Sequence, residues 1–206
     1  MKIVSIGAHP DDIEIGSGAT LAKHHQMDDE VHVILCTFGG VVGEPAERRL
    51  EAETATRILG VDRIHYLDYP VSKLNKPSRE FEKNIKSVID EIMPDRIYVH
   101  SPHDYHQVHV SVSKSVCSAA KDVPQVMLYE TISSTTSDFK PNAFVDITNY
   151  IDPKINSIKA HQSQSNRFYL QPNVIRSLAN TRYVWGKVGS DPQGLAEAFA
   201  IYRFMF

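Results

Sequence analysis

Residues 3–14 (IVSIGAHPDDIE) constrain the fold and chemistry of this chain more than any other stretch. A β-branched apolar run ends at Gly7, and one imidazole and three carboxylates follow it almost immediately. This pattern is typical of a buried strand that opens into a polar loop. Carboxylates this close repel one another, and a divalent cation relieves that repulsion. The segment therefore predicts a metal site with His9 and Asp12 as ligands and Asp11 free beside them.

A turn followed by a helix cap explains the same HPDD segment without any metal. Pro10 fixes its own φ, and an Asp side chain can accept a hydrogen bond from the first turn of the next helix. The metal interpretation therefore requires a second group of ligands elsewhere in the chain.

The composition predicts one domain, residues 1–206. A chain of 206 residues with 42% hydrophobic content can bury one substantial core. A net charge of −3 gives no basis for nucleic-acid binding, and no apolar run approaches membrane-spanning or signal-peptide length. We therefore expect a soluble cytoplasmic protein that binds neither nucleic acid nor membrane. Cys36 and Cys117 lie far apart in apolar segments and are expected to be core residues.

Strand-like and helix-like segments alternate through residue 130. Strands are predicted at the start of the chain and at 31–36, 64–67, 96–100 and 125–130, and helices at 17–25, 46–59, 78–92 and from near His106. This alternation predicts an α/β fold: a Rossmann-like, doubly wound, mainly parallel sheet with helices on both faces.

After residue 130 the pattern is less regular. We expect a short strand at 144–147, helices at 152–161 and 173–180, and a C-terminal strand or helix at the edge of the core. The loops 37–45, 69–77 and 131–141 are expected to form the walls of a pocket.

Histidines recur every three residues where the fourth predicted strand ends: His100, His103, His106 and His109. In a doubly wound sheet the first and fourth strands are neighbours, and ligands bind in the crevice at their carboxyl ends. His106 and His109 are one helical turn apart and share a face. One of them can complete a His-Asp-His set with His9 and Asp12 and leave a position open for water, as a catalytic zinc site requires. The other would then stand nearby as an electrophile or acid.

Taken together, these segments resemble the PIG-L/LmbE-like family of metal-dependent N-acetyl-sugar deacetylases. The family motif A-H-P-D-D-x-E stands intact at residues 8–14, and a form of P-x-D-x-H-x-D-H stands at residues 102–109. The resemblance also takes in Arg48-x-x-Glu51, residues 142–148, Lys154 and residues 161–164. It therefore covers nearly the whole chain.

The resemblance implies a reaction and roles for its residues. Zinc, or alternatively Fe²⁺ or Co²⁺, would be held by His9, Asp12 and His109. Asp11 would act as general base on a water molecule, and protonated His106 would stabilise the oxyanion. Asp11 or His106 would then protonate the leaving amine of a small acetamido sugar.

The resemblance also implies substrate contacts and an assembly. Arg48 would bind substrate hydroxyls or a phosphate, although a solvated salt bridge with Glu51 explains the same spacing. Glu14 would support the metal shell or touch substrate, and Asp104 and Tyr105 are candidate substrate-binding residues. A homo-oligomer, trimeric or hexameric, is expected.

Val108 departs from the family pattern, which has Asp before the last His. That change removes an expected anchor for the catalytic histidine, and Asp104 is the candidate replacement. Two other hypotheses therefore stay open: a metal-dependent amidase with a different acyl-amide substrate, and a binding protein that has kept the pocket without the chemistry. A dinucleotide-binding site is disfavoured, because Gly7 does not begin a G-x-G-x-x-G motif and the HPDD carboxylates would repel a pyrophosphate.

Overall fold

Seven strands form one sheet in the order β3-β2-β1-β4-β5-β7-β6. The computed structural model describes residues 1–38, 44–134 and 138–205. The strands are β1 (Lys2–Gly7), β2 (Glu30–Leu35), β3 (Arg63–Tyr66), β4 (Arg96–His100), β5 (Gln125–Tyr129), β6 (Ala143–Asp146) and β7 (Ala196–Phe204). The helices are α1 (Asp12–Gln26), α2 (Pro45–Ile58), α3 (Arg79–Ile92), α4 (Gln107–Ala119), α5 (Ile151–Ala160) and α6 (Pro172–Trp185). Strands β1 to β5 pair in parallel, which confirms the predicted α/β class.

Helices cover both faces of the sheet, so the parallel strands are apolar on both sides. Val4 and Ile6 of β1 belong to an apolar cluster with α3 and α4, whereas Ile3 packs in a cluster with residues of α1 and α2. A third cluster joins α1, α5 and α6. No helix among the described residues combines the length and apolarity needed to cross a bilayer. Cys36 and Cys117 are free and buried, as predicted.

Strands β1 and β4 are neighbours, as the doubly wound order predicts. Their register pairs Ile3 with Arg96 and Ile6 with Val99. The loop after β1 and the loop after β4 therefore leave the sheet side by side at its carboxyl edge, and both halves of the predicted site lie there.

Helix α1 begins at Asp12 rather than at residue 17, so the predicted start is wrong. Asp11 adopts a left-handed backbone with φ 98°, which turns the chain from strand to helix within a few residues. Gly7 permits this close approach, because a Cβ atom there would lie 2.9 Å from Cγ1 of Ile13. Asp12 and Glu14 consequently lie in the first helical turn, where the helix dipole favours negative charge.

A strand or helix was expected at the C-terminus, at the edge of the core; the segment is a strand, β7, but the predicted edge position is wrong. Strand β7 lies between β5 and β6 and is antiparallel to both, so the four-residue β6 forms the edge. Helix α6 also continues beyond its predicted end at residue 180. Asn180 lies inside this helix, and its side chain donates to the carbonyl oxygens of Pro192 and Gly194 at 3.1 and 2.9 Å.

Candidate metal centre and active site

Asp12 lies at the centre of a buried cluster of histidines at the carboxyl edge of the sheet. Its Oδ2 accepts the backbone N–H of His9 at 2.7 Å and lies 3.3 Å from Nδ1 of the same residue. Oδ2 is also 3.3 Å from Nε2 of His100, and Oδ1 is 3.3 Å from Nε2 of His109. One carboxylate thus contacts three imidazoles, from the loop after β1, from β4 and from α4.

The contact between Asp12 and His109 requires a positive charge between them. Nδ1 of His109 donates to Oδ2 of Asp104 at 3.1 Å, so in the neutral ring Nε2 directs a lone pair at Oδ1 of Asp12. Two acceptors facing each other repel unless a proton or a metal cation lies between them. Burial alone would lower the pKa of His109, but the carboxylates of Asp12 and Asp104 outweigh burial and raise this pKa to about 10. Imidazole and carboxylate donors suit zinc, iron and cobalt, so the residues present fit a divalent cation.

His109 belongs to two groups whose potential ligand atoms all lie within 4.8 Å of one another. One group comprises His9, His106 and His109, and the other comprises Asp12, His100 and His109. The predicted ligand set, His9, Asp12 and His109, draws on both groups.

His100 is a buried neighbour of the centre that the sequence did not identify as part of it. Its Nε2 accepts the backbone N–H of Ala8 at 3.0 Å, which occupies the lone pair that a metal would need. Burial and the nearby charge of His109 lower the pKa of His100 to about 4. A neutral, already engaged imidazole is a poor ligand, and this favours His9 over His100 as the third donor.

Asp11 lies beside Asp12 with its side chain lining a cavity. Burial and the adjacent charge of Asp12 raise the pKa of Asp11 to about 6. A carboxylate with a pKa raised toward neutrality is suited to accept and return a proton near pH 7.

His106 precedes α4 and stacks on His109, with ring centroids 4.4 Å apart. It also meets His9 edge to face at 4.9 Å. Partial burial and the charges of His109 and His9 lower the pKa of His106, which favours the neutral ring over the protonated form expected from the resemblance. A neutral imidazole still offers one N–H donor.

Asp104 lies against His109 rather than at a substrate surface. Its side chain is fully buried, and its Oδ1 accepts the backbone N–H of His106 at 2.7 Å. The hydroxyls of Thr131 and Ser134 donate to Oδ2 at 3.0 and 2.8 Å. Val108, by contrast, packs in the apolar cluster with α3 and α4. Asp104 therefore provides a carboxylate anchor for His109, a compensation for Val108 that the sequence suggested and could not establish.

Arg48 and Glu51 are both buried and no direct ion pair joins these two described residues, so the solvated salt bridge considered from the sequence is wrong. The hydroxyl of Ser163 lies between them and accepts a long hydrogen bond from Nη1 of Arg48 at 3.5 Å. Nη2 of Arg48 donates to the carbonyl oxygen of Pro10 at 2.6 Å and lies 3.9 Å from Oδ2 of Asp11. Glu51 instead accepts the backbone N–H and the hydroxyl of Ser163 at 2.6 and 2.7 Å. Arg48 thus holds the HPDD turn in place and also lines the cavity.

The remaining candidate substrate residues lie off the cavity in the described parts of the chain. Glu14 is buried, with Oε1 3.4 Å from Nε2 of His161. Tyr105 is 78% exposed and does not line the cavity.

The cavity has a volume of about 360 Å³. Its floor is formed by the polar residues described above: His9, Asp11, Asp12, Arg48, His106 and His109. Its other lining residues are Ile15, Val71, Thr131, Ile132, Ser133, Gln164, Arg167 and Tyr169. The predicted loops 69–77 and 131–141 thus contribute walls, while 39–43 and 135–137 lie outside the described residues. The resemblance pointed to Gln164, but no sequence signal identified Arg167 or Tyr169.

Comparisons with known proteins agree with this geometry. Residues 4–120 match the family model described as PIG-L, GlcNAc-PI de-N-acetylase. The chain is 30% identical over 172 residues to the Escherichia coli protein named uncharacterized deacetylase YaiS, covering 78% of this chain and 90% of that protein. It is 31% identical over 188 residues to the diacetylchitobiose deacetylase of Thermococcus kodakarensis, covering 79% and 70%.

A solved structure shows the same architecture. The N,N'-diacetylchitobiose deacetylase from Pyrococcus horikoshii, solved with its inhibitor MPG, superposes with a TM-score of 0.81 at 26% identity and covers 97% of this chain and 83% of that one. Both segments that converge on Asp12 fall inside the matched residues 4–120. The chain therefore belongs to the PIG-L family.

Proposed function

We propose that this protein is a metal-dependent hydrolase that removes the acetyl group from an N-acetylated sugar of the N-acetylglucosamine type. The observation that carries the proposal is the buried pair of facing acceptors, Asp12 and His109, beside the raised-pKa carboxyl of Asp11 at the floor of a cavity. The relatives named as diacetylchitobiose deacetylases support an acetamido-sugar substrate.

The proposed cofactor is zinc, with Fe²⁺ or Co²⁺ as alternatives that the same donors accept. His9, Asp12 and His109 would hold it. A bound divalent cation supplies Lewis-acid chemistry: it polarises a carbonyl and lowers the pKa of water from 15.7 toward ~7.

The chain's own residues move the protons. Asp11 accepts a proton from the water molecule as its oxygen bonds to the acetyl carbonyl carbon. His106 donates an N–H hydrogen bond to the carbonyl oxygen as negative charge develops on it. The C–N bond then breaks, the amine nitrogen takes the proton that Asp11 accepted, and the free amino sugar and acetic acid form. The acid gives its remaining proton to the solvent and leaves as acetate. Arg48 keeps Pro10 and Asp11 in position for the proton transfer through Asp11.

Three further points remain predictions. The resemblance favours a trimeric or hexameric assembly, the composition favours one domain over residues 1–206, and we expect the protein to act in the cytoplasm. None of them affects the assignment of the reaction.

Acetate release from a panel of acetamido sugars by zinc-loaded protein tests the proposed function. We expect release by the wild type and its near-complete loss in Asp11→Asn, which removes the proton acceptor and keeps the shape. Asp29→Asn, a carboxylate paired with a histidine at the other edge of the sheet, is the matched control and should retain activity.

Two results would contradict the proposed deacetylase function and favour another function. Cleavage of a different acyl amide without acetate release from any acetamido sugar would assign the site to another amidase. Tight sugar binding with no cleavage of any amide would make the protein a binding module.

A further inference from the structure

Arg167 places a positive charge in the wall of the catalytic cavity, and that charge has only neutral partners. Its Nε donates to Oε1 of Gln164 at 2.7 Å, and its Nη1 donates to the hydroxyl of Tyr169 at 2.8 Å. In residues 1–38, 44–134 and 138–205, no carboxylate lies within ion-pair distance of Arg167, whereas Arg48 lies 3.9 Å from Asp11. Arg167 is therefore the cavity-lining arginine without a counter-charge.

The two hydrogen bonds fix the orientation of the guanidinium of Arg167 and leave one edge available. Nη2 has no hydrogen-bond partner among the described side chains and backbone groups. A guanidinium held in this way is pre-organised, because little side-chain freedom is left to lose when a ligand binds. Its planar fork matches the oxygens of a carboxylate or a phosphate.

The charge of Arg167 points to a negatively charged ligand. Asp12 and Asp104 lie against His109, and Asp11 lies 3.9 Å from Arg48, so none of these three carboxylates is paired with Arg167. Lining charges of one sign in a cleft attract ligands of the other sign. A neutral acetamido sugar would leave the free edge of the exposed guanidinium of Arg167 to be solvated by water alone.

Arg167 lies outside residues 4–120, the part of the chain that matches the family model and contains the proposed ligands and acid–base groups. The cavity of about 360 Å³ is near the lower end of the ~300–1,000 Å³ range typical of small-molecule sites. A cavity of that size can hold a compact sugar with a small charged substituent.

We propose that the substrate is an N-acetylated sugar bearing a carboxylate or phosphate group, and that Arg167 binds this anionic group. The inference rests on the proposed deacetylase function and specifies the substrate class of that same site. Arg167 is assigned to binding and specificity, not to bond cleavage.

Calorimetric binding and initial rates of acetate release, measured on zinc-loaded protein, test the proposal together. The probes are N-acetylglucosamine, its 1-phosphate, its 6-phosphate, and N-acetylmuramic acid, which carries a carboxylate. The proteins are the wild type, Arg167→Ala and Arg167→Lys. Arg176→Ala is the matched control, because Arg176 is an exposed arginine paired with Asp152 and does not line the cavity.

We expect at least one anionic probe to bind the wild type about 10-fold more tightly than N-acetylglucosamine, as one charged hydrogen bond allows. Arg167→Ala should remove that preference by raising KM for the anionic probe much more than KM for N-acetylglucosamine. Arg167→Lys should keep part of the preference, and Arg176→Ala should leave both sugars unchanged. Added salt should weaken the anionic probe selectively. Comparison of the phosphates with N-acetylmuramic acid identifies which anion the site takes.

Equal binding of neutral and anionic probes by the wild type would overturn the inference, as would an equal loss for both in Arg167→Ala. Acetate release from neutral sugars without preference would refute the anionic substrate and leave the deacetylase function standing. Selective anion binding that depends on Arg167, with no acetate released from any probe, would refute the deacetylase function alone.

Discussion

Histidine and carboxylate side chains cluster at both edges of the sheet, around His24 at the amino edge and His109 at the carboxyl edge. In each histidine one ring nitrogen bonds a carboxylate, and the two clusters differ in the partner of the other ring nitrogen. At the amino edge, Nδ1 of His24 lies 2.6 Å from Oδ2 of Asp29, and Nε2 lies 2.9 Å from the hydroxyl of Tyr98. Arg96 donates to that hydroxyl at 3.1 Å, which leaves the hydroxyl proton for His24. Every polar group on the ring therefore has a complementary partner.

At the carboxyl edge the first nitrogen of His109 is bound in the same way, by Asp104, but the second faces the carboxylate of Asp12. The amino-edge cluster is complete without any added charge, whereas the carboxyl-edge cluster is not. We therefore expect a structural role for a histidine–carboxylate pair whose other nitrogen meets a hydroxyl donor, and a cation-binding role where that nitrogen meets a second carboxylate beside a cavity.

The largest effect expected from this contrast is that of Asp12→Asn. The amide removes the charge that draws the cation, so zinc content should fall and acetate release should drop by at least ~10³-fold. Asp29→Asn, at the amino edge, should keep the zinc content and the acetate release of the wild type. Metal analysis and the acetate assay measure the two quantities, and an Asp12→Asn protein with full zinc and normal turnover would erase the distinction between the edges.

Asp104→Asn should cause a smaller loss of zinc binding, because it weakens the hydrogen bond that orients His109 but leaves His109 itself in place. Zinc affinity, measured by competition with a chelator, should fall by ~10- to 100-fold. Ser134→Ala is the internal control, since it removes one donor to Asp104 and keeps the contact with His109. Comparable losses in both variants would mean that the whole network, not this contact, supports the metal.

Tyr98→Phe tests the amino edge. It leaves Nε2 of the buried His24 without a donor, which should lower the free energy of unfolding by about 1–3 kcal/mol. Urea denaturation measures this change. Zinc content and turnover should not change, and a loss of turnover without a loss of stability would contradict a purely structural role for this cluster.

The smallest expected effect is on the pH dependence of the free energy of unfolding, through protonation of His24 in acid. Burial lowers the pKa of His24 below its ordinary value, so the unfolded chain binds its proton more readily than the folded chain. The stability that neutral His24 contributes is present above about pH 6.5 and is lost as the pH falls below that value. His24→Gln should therefore lose less stability than the wild type between about pH 7.5 and about pH 5.5, as measured by urea denaturation of zinc-loaded protein. An unchanged pH slope would show that His24 does not titrate on unfolding.

The sequence allowed the two converging segments to be predicted, because each depends on local signals. The apolar run of β1 and that of β4 identify their own strands, and the strand order of a doubly wound sheet makes them neighbours. The start of α1 was missed because it depends on the left-handed backbone of Asp11, a conformation uncommon for a residue other than glycine.

Features built from distant segments were not predictable in the same way. The position of β7 between β5 and β6 is set by pairing between strands far apart in the chain, which its aromatic composition does not encode. Arg167 reaches the cavity from an irregular segment with no periodicity or motif. Even the role of Asp104 became clear only from the direction of its contact with His109.

A crystal structure of the zinc-loaded protein, with anomalous diffraction data collected at the zinc absorption edge, would locate the cation. We expect one strong peak at about 2.0–2.1 Å from ring nitrogens of His9 and His109 and about 2.0–2.2 Å from a carboxylate oxygen of Asp12. A peak beside His24 and Asp29 instead, or none at Asp12 under conditions that support turnover, would contradict the proposed metal site.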